Sequence, residues 1–354
     1  MSGQLVSLET SHGRIELPVL PTDGIRPGVV AVALGQGHTA YGRYAEGRGA
    51  SPLSLLGAAA EEASGARVWL ATRVTATPRP VWRPLPIGQA GEDQQGRGIA
   101  QAVRQGEAHA EPVHEEPSMY APHEHPAHRW GMAIDVDACI GCNACVAACY
   151  AENNVPVVGP DAQRLGRDMS WLRIERYVER EAGRADVRFV PMLCQHCDHA
   201  PCESVCPVYA TYHTPEGLNA QVYNRCVGTR YCGNNCPYKV RRFNWFEHSL
   251  PAPLDRQTNP DVTARSKGVM EKCTFCIQRI QGAKDRAKDE GRSVRDGEIV
   301  PACAQTCPTK AITFGDLKDP ASRASLASQS SRGYRVFESL NTRPAITYLK
   351  KVLS

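Results

Sequence analysis

The 354-residue chain predicts an α+β protein, a repeated cysteine-loop module with a small β-rich piece in front of it. Three observations carry that expectation. All 15 cysteines lie at or after Cys139, so the first third of the chain has none. They fall into four runs of similar spacing, which is an internal repeat. Short β-branched stretches bounded by Gly, Pro and Asp feed those runs, with one helical pattern among them.

The elements follow in order. Residues 1–77 contain "GRIELPVL", "GVVAVALG" and "ARVWLATRVTAT", each predicted as a strand, and "SPLSLLGAAAEEASG", predicted as a short helix capped by Ser51 or Ser54. Residues 78–129 are rich in Pro, Gly, Gln, Glu and His with little apolar periodicity, which predicts an extended linker. Residues 130–315 hold the cysteines. There "WGMAIDVDACIGCNAC" reads as a strand entering a ligand loop, and "WLRIERYVEREAGRADVRFVPML" as a hairpin about Gly183. "GLNAQVYNRC" reads as another strand, and "KCTFCIQRIQGAKDRAKDEGR" as a helix after its CxxC. Residues 316–354 read as a polar tail with a weak apolar finish and no assigned role.

Composition excludes several classes. A formal net charge of +4 is too small for a nucleic-acid surface without a clustered basic face. No apolar run reaches the length of a membrane span. The opening "MSGQLVSLETSHGRIELPVL" lacks the charged and apolar regions of an export signal. An odd cysteine count in a chain this long does not fit a disulfide scaffold.

The cysteine runs carry the chemistry. The first is Cys139-x2-Cys142-x2-Cys145-x3-Cys149, and the second is Cys194-x2-Cys197-x4-Cys202-x3-Cys206 followed by Pro207. The third is Cys226-x5-Cys232-x3-Cys236 followed by Pro237. The fourth is Cys273-x2-Cys276, then, after an insertion, Cys303-x3-Cys307 followed by Pro308. A cubane offers iron corners a few ångströms apart, so thiolates two residues apart wrap it in one tight loop, and the fourth cysteine of a run ligates the other cluster in two-cluster ferredoxins. Zinc sites usually stop at four ligands and do not repeat this pattern. Cysteines two residues apart do not pair sensibly as disulfides.

Thr229 stands where the third run calls for a cysteine. A hydroxyl does not ionise near neutral pH and binds iron far more weakly than a thiolate. Three cysteines therefore predict a [3Fe-4S] cluster whose missing corner faces Thr229. The alternative is a labile [4Fe-4S] cluster with water at one iron. The count then gives three [4Fe-4S] clusters and one [3Fe-4S], a wire for electrons. No Ser–His–Asp or paired-carboxylate set stands out, so bond-making chemistry is expected to belong to partners and no catalytic residue is assigned.

Residues 130–315 resemble the four-cluster ferredoxin subunits of the complex iron–sulfur molybdoenzyme superfamily. "WGMAIDVDACIGCNACVAACYAENNVPVVG" and "CVGTRYCGNNCPYKVRRFNW" are similar above all to the iron–sulfur protein of alternative complex III, a quinol-oxidising respiratory complex. Residues 11–75 resemble the final, pterin-dinucleotide-binding portion of a molybdopterin domain; only that portion is present, and no pterin is expected.

The resemblance implies crosswise pairing of the runs. One four-iron cluster would take Cys139, Cys142, Cys145 and Cys307; its neighbour would take Cys149, Cys273, Cys276 and Cys303. A third would take Cys194, Cys197, Cys202 and Cys236, leaving the three-iron site to Cys206, Cys226 and Cys232.

It also implies partners: a polytopic quinol-oxidising membrane subunit, a haem c or other acceptor subunit, and a separate larger molybdopterin-like subunit. Attachment to the membrane would be through them, on the periplasmic face, which the chain would reach with a signal-bearing partner or through a leader upstream. The rival readings are the matching subunit of a molybdopterin reductase or dehydrogenase, and a zinc-binding structural adaptor.

Other residues carry weaker signals. His109, His114, His123, His125 and His128 are irregularly spaced among Pro and Glu, which predicts a solvated linker and not a metal site. His196 and His199 lie inside the second run, where they tune a cluster or simply pack the loop. Lys239, Arg241 and Arg242 stabilise reduced clusters, dock a partner or face solvent. Gly35 and Gly37 are too few for a phosphate-cradling loop.

Overall fold

In the computed structural model the chain divides into two compact units, residues 1–88 with 159–166, and residues 89–158 with 167–354. The structure describes residues 2–353 except 23, 41, 43, 44, 69–71, 90, 108–116, 182 and 183.

The first unit is a three-stranded antiparallel sheet with Gln4–Glu9 between Arg14–Pro18 and Thr75–Trp82. Its core is small: Leu8 and Ile15 meet Leu55, with Val6 and Leu17 packed beside them. The Thr75–Trp82 strand crosses the expected boundary at residue 77. Pro78 and Pro80 sit in it without penalty because an edge strand leaves some N–H positions unpaired.

Three expectations for this unit differ from the structure; the strand expected at "ARVWLATRVTAT" begins only at Thr75, with residues 69–71 outside the described ones. "GVVAVALG" is not a strand; it runs between Gly28 and Gly35, both at positive φ, with Val29, Val30 and Leu34 exposed. An apolar run becomes a strand only where a neighbour offers backbone partners. The helix of "SPLSLLGAAAEEASG" shrinks to one 3₁₀ turn, Pro52–Leu55. Ser51 sits at its N-cap without a side-chain cap, and the Ser54 hydroxyl donates back to the Ser51 carbonyl at 3.0 Å.

The second unit is organised by a four-stranded sheet in the order Ile312–Asp316, Trp130–Asp135, Ile346–Leu349, Gly333–Tyr334. Trp130–Asp135 pairs antiparallel with the first and parallel with Ile346–Leu349. Its first five residues are all buried, the continuous apolar pattern of a strand covered on both faces. The hairpin Arg173–Glu181 with Arg184–Met192 is present; Gly183, at its expected turn, lies outside the described residues. Asn219–Gln221 is a strand, and Ile277–Asp289 is the helix after the fourth CxxC.

The tail and the linker differ most from expectation. The tail supplies Ile346 and Tyr348, both with no exposed surface, to the central sheet. Residues 89–107 also pack within this unit: Ile99 and Ala100 are buried, Tyr334 donates to the Ile99 carbonyl at 2.9 Å, and Ala102–Arg104 pairs parallel with Lys351–Leu353. A polar composition hid both, since only a few apolar side chains are needed to anchor an irregular segment whose backbone finds partners.

Candidate metal centres

The ligand loops share one backbone device. Asn143, Arg230 and Cys276 each take a left-handed conformation at the start of a helix, Ala144–Glu152, Tyr231–Asn235 and Ile277–Asp289. Three residues after the closing cysteines Cys206, Cys236 and Cys307, the chain turns left-handed again at Tyr209, Lys239 and Lys310, with φ of 50°, 51° and 54°. A non-glycine residue there costs on the order of 1–2 kcal/mol, so a repeated use of it points to function. The turn aims backbone N–H groups at sulfur: Ala210 donates to Cys206 Sγ at 3.1 Å and Ala311 to Cys307 Sγ at 3.3 Å.

The loops gather thiols from distant parts of the chain. Cys139, Cys142, Cys145 and Cys307 line one pocket, about 330 Å³ when space open to solvent is included. Cys194, Cys197, Cys202 and Cys236 line a second of about 310 Å³. Cys206, Cys226 and Cys232 line a third of about 280 Å³, and Thr229 lines it with them. The Cys149 sulfur has those of Cys273, Cys303 and Cys276 as neighbours, and the Asn153 amide reaches both Cys149 Sγ at 3.7 Å and Cys276 Sγ at 3.8 Å.

Burial, then the Cys139 and Cys307 sulfurs, pushes the Cys145 thiol up to about 12. Burial raises Cys149, Cys197 and Cys303 well above the ordinary thiol range, with the neighbouring cysteines of each adding to it. Four thiolates in one buried pocket repel each other, and only a cationic core makes them tolerable together. Soft thiolate donors in fours, with N–H groups aimed at sulfur, suit iron–sulfur clusters.

Charged side chains lie between the groups. Arg241 is 6% exposed; it donates to Cys202 Sγ at 3.5 Å and to Asn219 Oδ1 at 3.0 Å. Burial alone would lower its pKa, but the Cys202, Cys232 and Cys194 sulfurs outweigh this and raise it. Lys272 has no exposed surface and donates to the Cys273 carbonyl at 2.7 Å. His196 is fully buried, accepts from the Asn219 N–H at 3.1 Å and stacks on Phe275 at 3.9 Å. Desolvation, with Lys272 next, holds it well below the ordinary histidine range, so it is neutral.

Residues 138–210 and 185–252 each match a family described as a 4Fe-4S dicluster domain. The iron–sulfur cluster-binding subunit of menaquinone reductase from Nitratidesulfovibrio vulgaris is 43% identical over 228 residues, 63% of this chain and 89% of that protein. The first iron–sulfur subunit of an Hdr-like menaquinol oxidoreductase from Archaeoglobus fulgidus is 35% identical over 63% of this chain and 83% of its own length. The iron–sulfur subunit of a putative dimethyl sulfoxide reductase from Halobacterium salinarum is 36% identical, over 64% and 80% respectively.

The chain belongs to the iron–sulfur subunits of menaquinol- and molybdoenzyme-type oxidoreductase complexes. Electron transfer through [4Fe-4S] clusters is the work of such subunits. Among the described residues, no helix of this one is long and apolar enough to cross a membrane.

The structure narrows or corrects the sequence reading of several residues. His199 bonds to the Asn341 carbonyl at 2.9 Å and the Ser118 hydroxyl at 3.2 Å, which makes it a packing residue of the loop. Arg242 pairs with Asp168 at 3.1 Å, and Lys239 donates to the Asn234 carbonyl at 2.6 Å. His123 is exposed, but His125 and His128 do not belong to a solvated linker. His128 bonds to Asp316 at 2.6 Å, and His125 is nearly buried beside Asp198 and His213. His109 and His114 lie outside the described residues. Asn153 and Lys272 were not singled out by sequence; the only trace of Asn153 is its position one helical turn after Cys149.

Proposed function

We propose that the chain relays electrons through three [4Fe-4S] clusters and one [3Fe-4S] cluster, between a quinol-oxidising membrane partner and a haem c or other acceptor subunit. The four sets are Cys139/Cys142/Cys145/Cys307, Cys149/Cys273/Cys276/Cys303, Cys194/Cys197/Cys202/Cys236 and Cys206/Cys226/Cys232, the last with Thr229 at its open corner. Each cluster, when bound, takes up and releases one electron at a time. The chain's own residues set the order and the insulation.

The observation that carries this reading is the gradient of burial along the sets. The Cys145 and Cys303 sulfurs feel one another, as do Cys194 and Cys273, and Arg241 reaches from Cys202 towards Cys232. The eight cysteines of the two middle sets are at most 8% exposed. The end sets open outward: Cys142 is exposed beside Ile140, and Cys206 and Cys226 are half-buried beside exposed Val227 and Tyr231. A relay needs a dry interior and two accessible ends.

Attachment to the membrane would be through partners, on its periplasmic face as in alternative complex III. Residues 1–77 would be a remnant of a pterin-dinucleotide-binding portion, holding no pterin. A second reading has support: the Nitratidesulfovibrio relative is named for menaquinone reduction and the Halobacterium relative for dimethyl sulfoxide reduction. In that case electrons run towards quinone, or to and from a molybdopterin subunit.

The test is metal analysis and EPR of the anaerobically purified chain. About fifteen irons are expected, four in each of three clusters and three in the last, with a near-isotropic oxidised [3Fe-4S] signal. A colourless, iron-free protein that refuses reconstitution would end the relay. Subunits recovered with it decide the partner: haem c with a polytopic membrane protein supports quinol oxidation, and a large pterin subunit supports the second reading.

A further inference from the structure

Three side chains from separate segments converge away from the iron–sulfur ligands. His125 lies in the segment before the Trp130–Asp135 strand, Asp198 in the second cysteine run, and His213 at the end of the Thr211–His213 strand. His125 Nε2 and His213 Nε2 each stand 3.3 Å from Asp198 Oδ1. The side chains are 9%, 5% and 12% exposed in the order His125, His213, Asp198. None of those three atoms makes a hydrogen bond among the described residues, and neither does His125 Nδ1. Buried polar atoms almost always have partners, so several orphans facing one point need a cause.

On Asp198 and His213 the atoms turned away from that point are already engaged. Asp198 Oδ2 takes a 2.6 Å ion pair from Arg129, which leaves Oδ1 free. His213 Nδ1 faces Glu203 Oε1 at 3.4 Å, the carboxylate–histidine arrangement that in a neutral ring puts the proton on Nδ1 and leaves Nε2 as a lone pair. Without a cation, burial is outweighed by Asp198 and Glu203, which raise His213 to about 9. The Glu203 carboxylate is itself held by the Asn219 amide. Gly217 keeps the wall open: a Cβ there would stand 3.5 Å from the His125 ring and 3.0 Å from the Arg129 stem.

We propose that His125, Asp198 and His213 bind a divalent cation of the zinc class through His125 Nε2, His213 Nε2 and Asp198 Oδ1. Ligand atoms at zinc bond lengths in a tetrahedron lie about 3.3–3.4 Å apart; both histidine nitrogens stand at that separation from Asp198 Oδ1 without hydrogen-bond geometry, and all three atoms lie within 4.8 Å of one another. Two imidazoles and a carboxylate are donors that zinc accepts and that iron–sulfur clusters do not use in this family's cysteine runs. The ion ties the segment entering the central sheet to the second cysteine loop and to the Thr211–His213 strand, so it acts as a clip and takes no part in the relay. A proton on His213 is the competing occupant.

The experiment is zinc K-edge absorption on the full, anaerobically purified, cluster-loaded chain, before and after incubation with equimolar zinc chloride and desalting. One zinc per chain is expected, with a nitrogen/oxygen shell and the outer scattering of two imidazoles. The variant His125→Gln is expected to lose that zinc while keeping its iron and its EPR spectrum. No retained zinc, a sulfur shell, or an equal zinc content in His125→Gln would each overturn the site. Should the variant lose its iron as well, the wild-type absorption shell alone decides: two imidazoles uphold the site and any other shell rejects it.

Discussion

Thr229 and Arg241 show how single residues set what a cysteine loop does. Thr229 lines the cavity of Cys206, Cys226 and Cys232 with a group that does not ionise, and the proposed [3Fe-4S] cluster would have its open corner there. Thr229→Cys is expected to fill the corner, remove the [3Fe-4S] EPR signal and lower the potential of that centre. An unchanged spectrum would count against the assignment. Arg241 is a buried cation against Cys202 Sγ, and a nearby positive charge favours the reduced, more negative cluster. Arg241→Gln is expected to lower the potentials of the centres on either side by tens of millivolts in a redox titration, while Arg241→Lys recovers part of the shift. Thr229 was legible because it breaks a pattern. Arg241 was visible only as one of three basic residues, since nothing in "KVRRF" says which of them turns inward.

Among the elements, short pieces are held by polar contacts that composition does not advertise. Arg242–Phe243 and Met270–Glu271 form a two-residue ladder. Glu271, with no exposed surface, accepts from Arg265 at 2.9 Å, Trp171 at 3.2 Å and Asn244 at 3.1 Å. Removing one partner of a buried ion pair strands the other charge, at a cost of roughly 3–5 kcal/mol. Glu271→Ala should therefore lower the denaturant midpoint at which the visible cluster absorbance bleaches by far more than Glu298→Ala, whose Arg292 partner lies nearer the surface. Equal midpoints would refute the network's importance. The Trp130–Asp135 strand and the Ile277–Asp289 helix were readable because their patterns are strong and local. The strand expected at "GVVAVALG" failed for want of a neighbour, and the strand expected over residues 66–77 begins only at Thr75 and runs on past that boundary through two prolines that an edge position tolerates.

Across the molecule, the decisive contacts join segments far apart in the chain. Ile346 and Tyr348 stand in the centre of the sheet, parallel to Trp130–Asp135, although the tail reads as polar. Ending the chain at Asp316 is expected to remove that strand and yield protein that loses its iron on purification; full iron retention would show the tail to be dispensable. Ile346→Ala, a milder change in the same place, should cost about 2–5 kcal/mol. The chemistry of the ligand loops is already written in the order of the residues. Cysteine spacing is a short-range property, and thiolates two residues apart can serve one cluster whatever the rest of the chain does. Long-range packing alone settled which loops face each other, which arginine is buried between them, and that two histidines and an aspartate meet at one point. Those outcomes depend on the sum of many weak contacts between distant segments, and no local window of residues contains that sum.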